Sequence, residues 1–210
     1  MTVSRHRIRT VTALTEGSGP LDQAEFTPTL EAARSGAEWA WSHLYRHLAG
    51  PLLGYLRMRG APEPEDLLSE VFVQLARNLR TFTGDYQAFR SWAFTVAHHR
   101  IVDDRRYRAR RPLYPAAIPD DARGTGDTEA EALERLATSD VIALLDKLTP
   151  EQRDVLLLRV VADLSVEEVA RILRRRPGAV KARQRRALEA LRRTLAPVSP
   201  STSPSVTAVT

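Results

Sequence analysis

The stretch from Arg171 to Arg193 carries ten cations (Arg171, Arg174, Arg175, Arg176, Lys181, Arg183, Arg185, Arg186, Arg192 and Arg193) and a single carboxylate, Glu189. Across the same stretch and just beyond it, Val180, Ala187, Leu188, Leu191 and Leu195 recur at helical spacing and can form a buried stripe. Most of the guanidinium groups then lie on the solvated faces. Such a surface lowers the electrostatic cost of approaching phosphate, and the first turn of the helix can point at base edges in a major groove. An ordinary Arg-rich solvated helix is the plain alternative, because the chain favours arginine over lysine throughout and has only Lys147 and Lys181.

A second basic cluster comprises His98, His99, Arg100, Arg105, Arg106, Arg108, Arg110 and Arg111, interrupted by Asp103 and Asp104. It ends an apolar stripe, so a solvated helix C-terminus, where the dipole favours cations, explains it equally well. The polar loop Arg80 to Gln87 precedes that stripe and contains Phe82 and Tyr86, aromatic rings able to stack on an unpaired base. His98 and His99 are adjacent and cannot share a helix face, which argues against a metal pair. The chain has no cysteine, so disulfides and thiolate metal sites are excluded. No catalytic constellation is recognisable; neither enzymatic activity, a cofactor nor a bound metal is expected.

The elements that must position these groups are helices. Thr149 and Ser165 are each followed three residues later by Gln152 or Glu168, the capping-box pattern. Leu164 and Val169 occupy the two positions of a hydrophobic staple, and Pro177 suits the first position of a further helix. Arg174 to Arg176 alone separate the last two helices. A short capped helix, a tight turn and a basic helix make a helix-turn-helix.

Upstream, Trp41, Leu44, Tyr45, Leu48, Leu52 and Leu56 form a stripe that Pro51 should kink or break. A second helix begins near Pro64, with Glu65 and Asp66 in its first turn and Leu67, Leu68, Val71, Phe72, Leu75 and Leu79 on one face. A third stripe runs through Phe89, Trp92, Ala93, Val96, Ala97 and Ile101, most simply as core.

An all-α chain of two small helical domains follows. The expected organisation is a flexible N-terminal arm (1–35), a first helical domain (36–111), a linker (112–128), a second helical domain (129–195) and a disordered tail (196–210). Pro112, Pro115, Pro119, Gly124 and Gly126 give the linker its chemistry, and Pro197, Pro200 and Pro204 interrupt the tail. The 210 residues carry a net charge of +5, which suits a polyanionic partner. No apolar run approaches the roughly 20 residues that span a bilayer, and Met1 to Thr15 lacks the apolar core of a secretory signal. The expected location is the cytoplasm, without membrane insertion.

Residues 38–195 resemble the extracytoplasmic-function (ECF) sigma factors of the sigma-70 family. Glu65 to Leu75 is similar to that family's core-polymerase-binding helix. Phe89 to Ala97, with Ile101 to Arg106, resembles its minus-ten recognition segment. Leu148 to Arg153 and Gly178 to Arg183 match its last region, the helix-turn-helix. Departures are Ser69 for a usual Gln, Asp163 and Arg174 for frequent glycines, Ala179 and Ala182 for Thr and Ser, and Gln184 for an apolar residue. If position 174 requires positive φ, Arg is strained there.

The resemblance implies a transcription initiation factor that gives core RNA polymerase promoter specificity, one domain like sigma region 2 and the other like sigma region 4. Glu65, Asp66, Glu70 and Gln74 would meet the clamp helices of the largest subunit, with the flap of the second-largest subunit as another contact. Phe82, Tyr86 and Arg90 would lie near the minus-ten base pocket, with His98, Arg100, Arg105 and Arg106 on phosphates. Arg176, Pro177, Gly178, Lys181 and Arg185 would form the minus-thirty-five contact. An anti-sigma factor is a common partner in the family. The acidic stretch from Pro112 to Glu131, with Asp120, Asp121, Asp127, Glu129 and Glu131, suits either a polyanion mimic in the polymerase RNA channel or a solvated spacer. Two other classes fit the residues alone: a freestanding DNA-binding regulator, which would bind duplex tightly by itself, and a helical adaptor. Capture of core polymerase by residues 36–111 separates all three.

Overall fold

The computed structural model describes residues 21–110 and 139–195. All the regular structure among these residues is helical, in two bundles. The first contains α1 (Gln23–Arg34), α2 (Glu38–Met58), α3 (Pro64–Asn78) and α4 (Tyr86–Arg110), with a 3₁₀ turn at Leu79–Thr81. The second begins with a helical stretch at 139–145 and continues through α5 (Pro150–Val160), α6 (Val166–Ile172) and α7 (Pro177–Leu195).

In the first bundle α2 packs on α1, α3 and α4, and α3 also lies along α4. Leu44, Leu48, Leu52 and Leu56 of α2 meet Val71 and Leu75 of α3 and Phe89, Ala93 and Ile101 of α4 in a fully buried core. Pro51 neither breaks α2 nor faces solvent; the helix runs through it, and its ring is buried. Tertiary packing of the leucine stripe holds the helix across the missing backbone donor.

The ordered bundle begins earlier than position 36. Asp22 caps α1, and Phe26, Leu30 and Ala33 bury one face of it. The Phe26 ring lies 5.6 Å from Tyr86 and 5.5 Å from Phe89. Residues 23–34 are therefore an integral helix rather than part of a free arm. The remainder of the expected arm (1–20), the expected linker and the expected tail lie outside the described residues.

The second bundle is built as its capping signals indicate. Thr149 Oγ1 accepts from the Gln152 N–H while Gln152 Oε1 accepts from the Thr149 N–H. Ser165 and Glu168 form the same reciprocal pair, at 3.2 and 2.7 Å. Leu164 and Val169, the staple residues, are both fully buried. The run Val155 to Leu158 is buried at every position, because α5 is wrapped by its neighbours rather than lying on the surface.

The turn between α6 and α7 is a Schellman motif. The Arg175 N–H bonds to the Ala170 carbonyl and the Arg174 N–H to the Arg171 carbonyl. That geometry puts Arg174 at φ 51°, in the left-handed region that glycine favours. Arg174→Gly is expected to stabilise the second bundle by about 0.5–1 kcal/mol, the relieved strain being partly offset by the freer unfolded chain. The urea midpoint of the chain checks it.

Candidate nucleic-acid and polymerase interfaces

Three surfaces carry the groups singled out above. The first is the start of α7. Its apolar stripe is anchored by Val180 and Ala187, both fully buried. Arg176, Pro177, Gly178, Lys181 and Arg185 are all exposed on the other side. Arg185 pairs with Glu189 at 3.6 Å across one turn, with both side chains more than half in solvent, so the pair is weak and the guanidinium stays available. The five residues expected to face DNA here share one accessible end of one helix.

The second surface is the outer face of α3. Leu67, Leu68, Val71 and Leu75 turn inward, which leaves Asp66, Glu70 and Gln74 at i, i+4, i+8 spacing on the outside. Val73 is exposed beside them. Arg57 holds the Glu65 carboxylate at 2.6 Å, and the hydrogen bond it donates keeps that carboxyl below its ordinary range. Arg100 reaches across from α4, donating to Gln74 Oε1 at 3.0 Å and to Glu70 Oε2 at 3.3 Å. One of the cations expected on phosphate thus sits against the polymerase-facing residues.

The third surface is the loop before α4 and the first turns of that helix. Asp85 caps α4 by accepting from the Ala88 N–H at 2.7 Å. Gly84 is obligatory: its φ is 142°, and a Cβ there would lie 2.8 Å from the Ala88 Cβ. This tight loop lays Phe82 flat on Trp92, with centroids 5.2 Å apart and planes inclined by 12°. Arg34 of α1 donates to the Leu79 and Phe82 carbonyls and pins the loop from behind. Beside Trp92 opens a cleft lined by Asp85, Gln87, Ala88, Ser91 and Thr95.

Not every expected strand-binding residue reaches this surface. Tyr86 is buried against Phe26, so its ring is core. His98 is also buried, with Nδ1 2.9 Å from the Tyr55 hydroxyl. Burial, helped by the nearby Arg59 charge, pulls His98 down to about 4, so it is neutral near pH 7 and cannot neutralise a phosphate. Burial likewise pushes the Tyr55 phenol well up, so it stays protonated. The guanidinium of Arg105 is taken up by the Arg59 carbonyl. Arg106 remains exposed, loosely paired with Asp103 at 3.6 Å. Arg90 is half-buried, its guanidinium 5.4 Å from the Phe94 centroid. Trp92, read from sequence simply as core, is the ring that faces the cleft. Its stripe position gave no sign of that, because partial burial and full burial have the same period.

Among the described residues no group of three or more His, Asp or Glu side chains is placed to hold a metal ion. None of their helices is long and apolar enough to cross a membrane.

Two helical bundles, one ending in an exposed helix-turn-helix and the other presenting an acidic helix beside an aromatic loop, are the architecture of a sigma-type transcription factor. The match is explicit. Residues 44–111 fit the model of sigma-70 region 2, and residues 139–191 fit that of sigma-70 region 4. The chain is 30% identical over 177 residues to the ECF RNA polymerase sigma factor BldN of Streptomyces coelicolor, covering 83% of this chain and 67% of that protein. It is 34% identical over 132 residues to the ECF RNA polymerase sigma factor ShbA of Streptomyces griseus, covering 61% and 69% respectively. The solved structure of CnrH in complex with the cytosolic domain of CnrY is similar too. It has a TM-score of 0.59 and 25% identity, over 80% of this chain and 95% of that one. The chain belongs to the ECF sigma factors of the sigma-70 family, non-enzymatic proteins of promoter-specific transcription initiation.

Proposed function

We propose that this chain docks on core RNA polymerase through the exposed face of α3 and reads a promoter at two places. Asp66, Glu70 and Gln74, with Val73 between them, form the polymerase-facing patch against the clamp helices. The loop 79–85 and the first turns of α4 receive the non-template strand of the minus-ten element, with Trp92 and Phe82 as a stacking platform and Arg90 and Arg106 toward the backbone. Stacking one base on an aromatic ring contributes about 1–3 kcal/mol, which offsets the unstacking cost of a few kcal/mol for each extruded base. The start of α7 enters the major groove of the minus-thirty-five element, where Arg176, Lys181 and Arg185 meet bases and phosphates.

The observation that carries this reading is the joint presence, in family order, of an exposed acidic α3 face and an exposed basic N-terminus on α7. An anti-sigma protein is a proposed further partner, supported by the likeness to CnrH, which was solved with the cytosolic domain of CnrY.

Run-off transcription with purified core enzyme on a library of upstream sequences tests the reading; failure to select any start site overturns it. Within that assay Lys181→Glu should weaken promoter binding by about 2 kcal/mol, roughly thirtyfold, through a lost cation and an added repulsion. Affinity for core enzyme should not change. Equal loss of both would refute the division of labour between the bundles.

A further inference from the structure

The two bundles are clamped together through the surface assigned to the promoter strand. We propose that this clamp is an autoinhibitory latch, with Arg59 and Asp154 as its centre and Arg90 as its second point. The inference rests on reading the start of α4 as the minus-ten surface.

Arg59 closes the C-terminus of α2 and is 2% exposed. Its Nη1 lies 2.6 Å from Oδ1 of Asp154, which projects from α5 in the other bundle. Arg105 of α4 holds the Arg59 carbonyl and adds a second cation facing Asp154. Further along α4, Arg90 donates through Nε to the Ala162 carbonyl at 2.8 Å and through Nη2 to the Val161 carbonyl at 3.3 Å. These carbonyls lie just past the C-terminus of α5, where a cation is favoured. Gln87 adds longer bonds to the Asp163 carbonyl and to Glu168, both at 3.4 Å. The left-handed φ of Asp163, 49°, forms the bend at which these acceptors sit.

The effect on the strand site is direct. Arg90 is spent on the second bundle. The cleft beside Trp92 is walled on its far side by Glu168 and Arg171, so an extruded base entering it meets α6. The N-terminus of α7 meanwhile stays exposed. The closed chain presents its duplex-reading helix and withholds its strand-capturing surface.

The latch is specific without being deep. The Arg59–Asp154 contact is close, yet neither Nη1 nor Oδ1 has the alignment of a hydrogen bond. A buried ion pair with imperfect hydrogen bonding recovers little more than its desolvation cost. Once the bundles part, water reaches both charges and the cost of separating them falls. A polymerase surface binding only the open form can therefore draw the equilibrium over.

The chain has no cysteine, so a spin-label pair at exposed Ser42 and Thr194, on α2 and α7, reports the inter-bundle distance in the full-length protein. Wild type should give one narrow distribution. Asp154→Asn should broaden and lengthen it, and Arg59→Met, which breaks the latch from the other bundle, should do the same if the first variant folds poorly. Binding of the free chain to a single-stranded minus-ten oligonucleotide should rise about tenfold or more in the opened variants, as expected when a minor open state becomes dominant. The narrow wild-type distribution retained in either folded variant overturns the latch. Opening without gain in strand binding overturns the autoinhibition. Run-off transcription by the wild type keeps the two readings apart: its absence sinks the proposed function and leaves the distance result standing.

Discussion

Between pH 7 and pH 4 the first bundle should lose about 3 kcal/mol of stability through His98 alone. The imidazole is buried between Tyr55 and the Arg59 and Arg105 charges, and burial is the chief reason its folded value falls to about 4. In the unfolded chain it titrates near 6.5. Below pH 6.5 the unfolded state therefore binds a proton that the folded state refuses. The stability is fully present above pH 6.5 and drains away as the pH falls toward 4. Glu65 adds a loss at lower pH, because its folded value is depressed, whereas Asp154, raised by burial, works in the opposite sense. Comparison with His98→Gln, which offers Tyr55 a polar partner that does not titrate, isolates the histidine. Urea midpoints should converge between the two proteins as the pH drops. Parallel pH profiles would show that His98 titrates normally and is not buried as described.

The helix-turn-helix was legible because its signals are local. Capping boxes at Thr149 and Ser165, the Leu164–Val169 staple and Pro177 at a helix start all act within one or two turns, and each appears where spacing put it. The strain at Arg174 was legible for the same reason, since a three-residue turn leaves few backbone paths. Both buried exceptions, Tyr86 and His98, fall on α4, which has buried residues around much of its circumference. A stripe assigned to one face of such a helix underestimates what packing covers on the others. Ser91 and Phe94, off the expected stripe, are buried too.

Nothing local marks the pairing of Arg59 with Asp154 or of Arg90 with the end of α5. These partners lie 95 and about 70 residues apart, and each charge taken alone reads as a solvated surface group. The polar residues Asp66, Glu70 and Gln74 of α3 were singled out through the resemblance of Glu65 to Leu75 to the family's polymerase-binding helix. Their tie to Arg100 was not, since it depends on α3 lying along α4. Local chemistry announces the reading elements; only the fold reveals which of their charges are already occupied.

The helix α1 was underestimated because Pro28 and a polar composition mask a stripe of only Phe26, Leu30 and Ala33. Phe26→Ala is expected to destabilise the first bundle by about 3–5 kcal/mol, the range for truncating a fully buried aromatic ring. Its ring is 0% exposed and is held between Tyr86 and Phe89, so its loss leaves a cavity at the start of α4. Gln23, one turn earlier, accepts the Tyr86 N–H at 3.0 Å and so satisfies a free donor at that helix start. Arg34 at the other end of α1 secures the Phe82 loop. A loosened α1 should therefore disturb the strand-binding loop as well as the core. Glu31→Ala, on the exposed face of the same helix, should shift stability by no more than about 0.5 kcal/mol. Urea unfolding of the full chain separates the two cases. If Phe26→Ala costs no more than Glu31→Ala, residues 21–35 are a dispensable arm, and the aromatic cluster does not hold the loop in place.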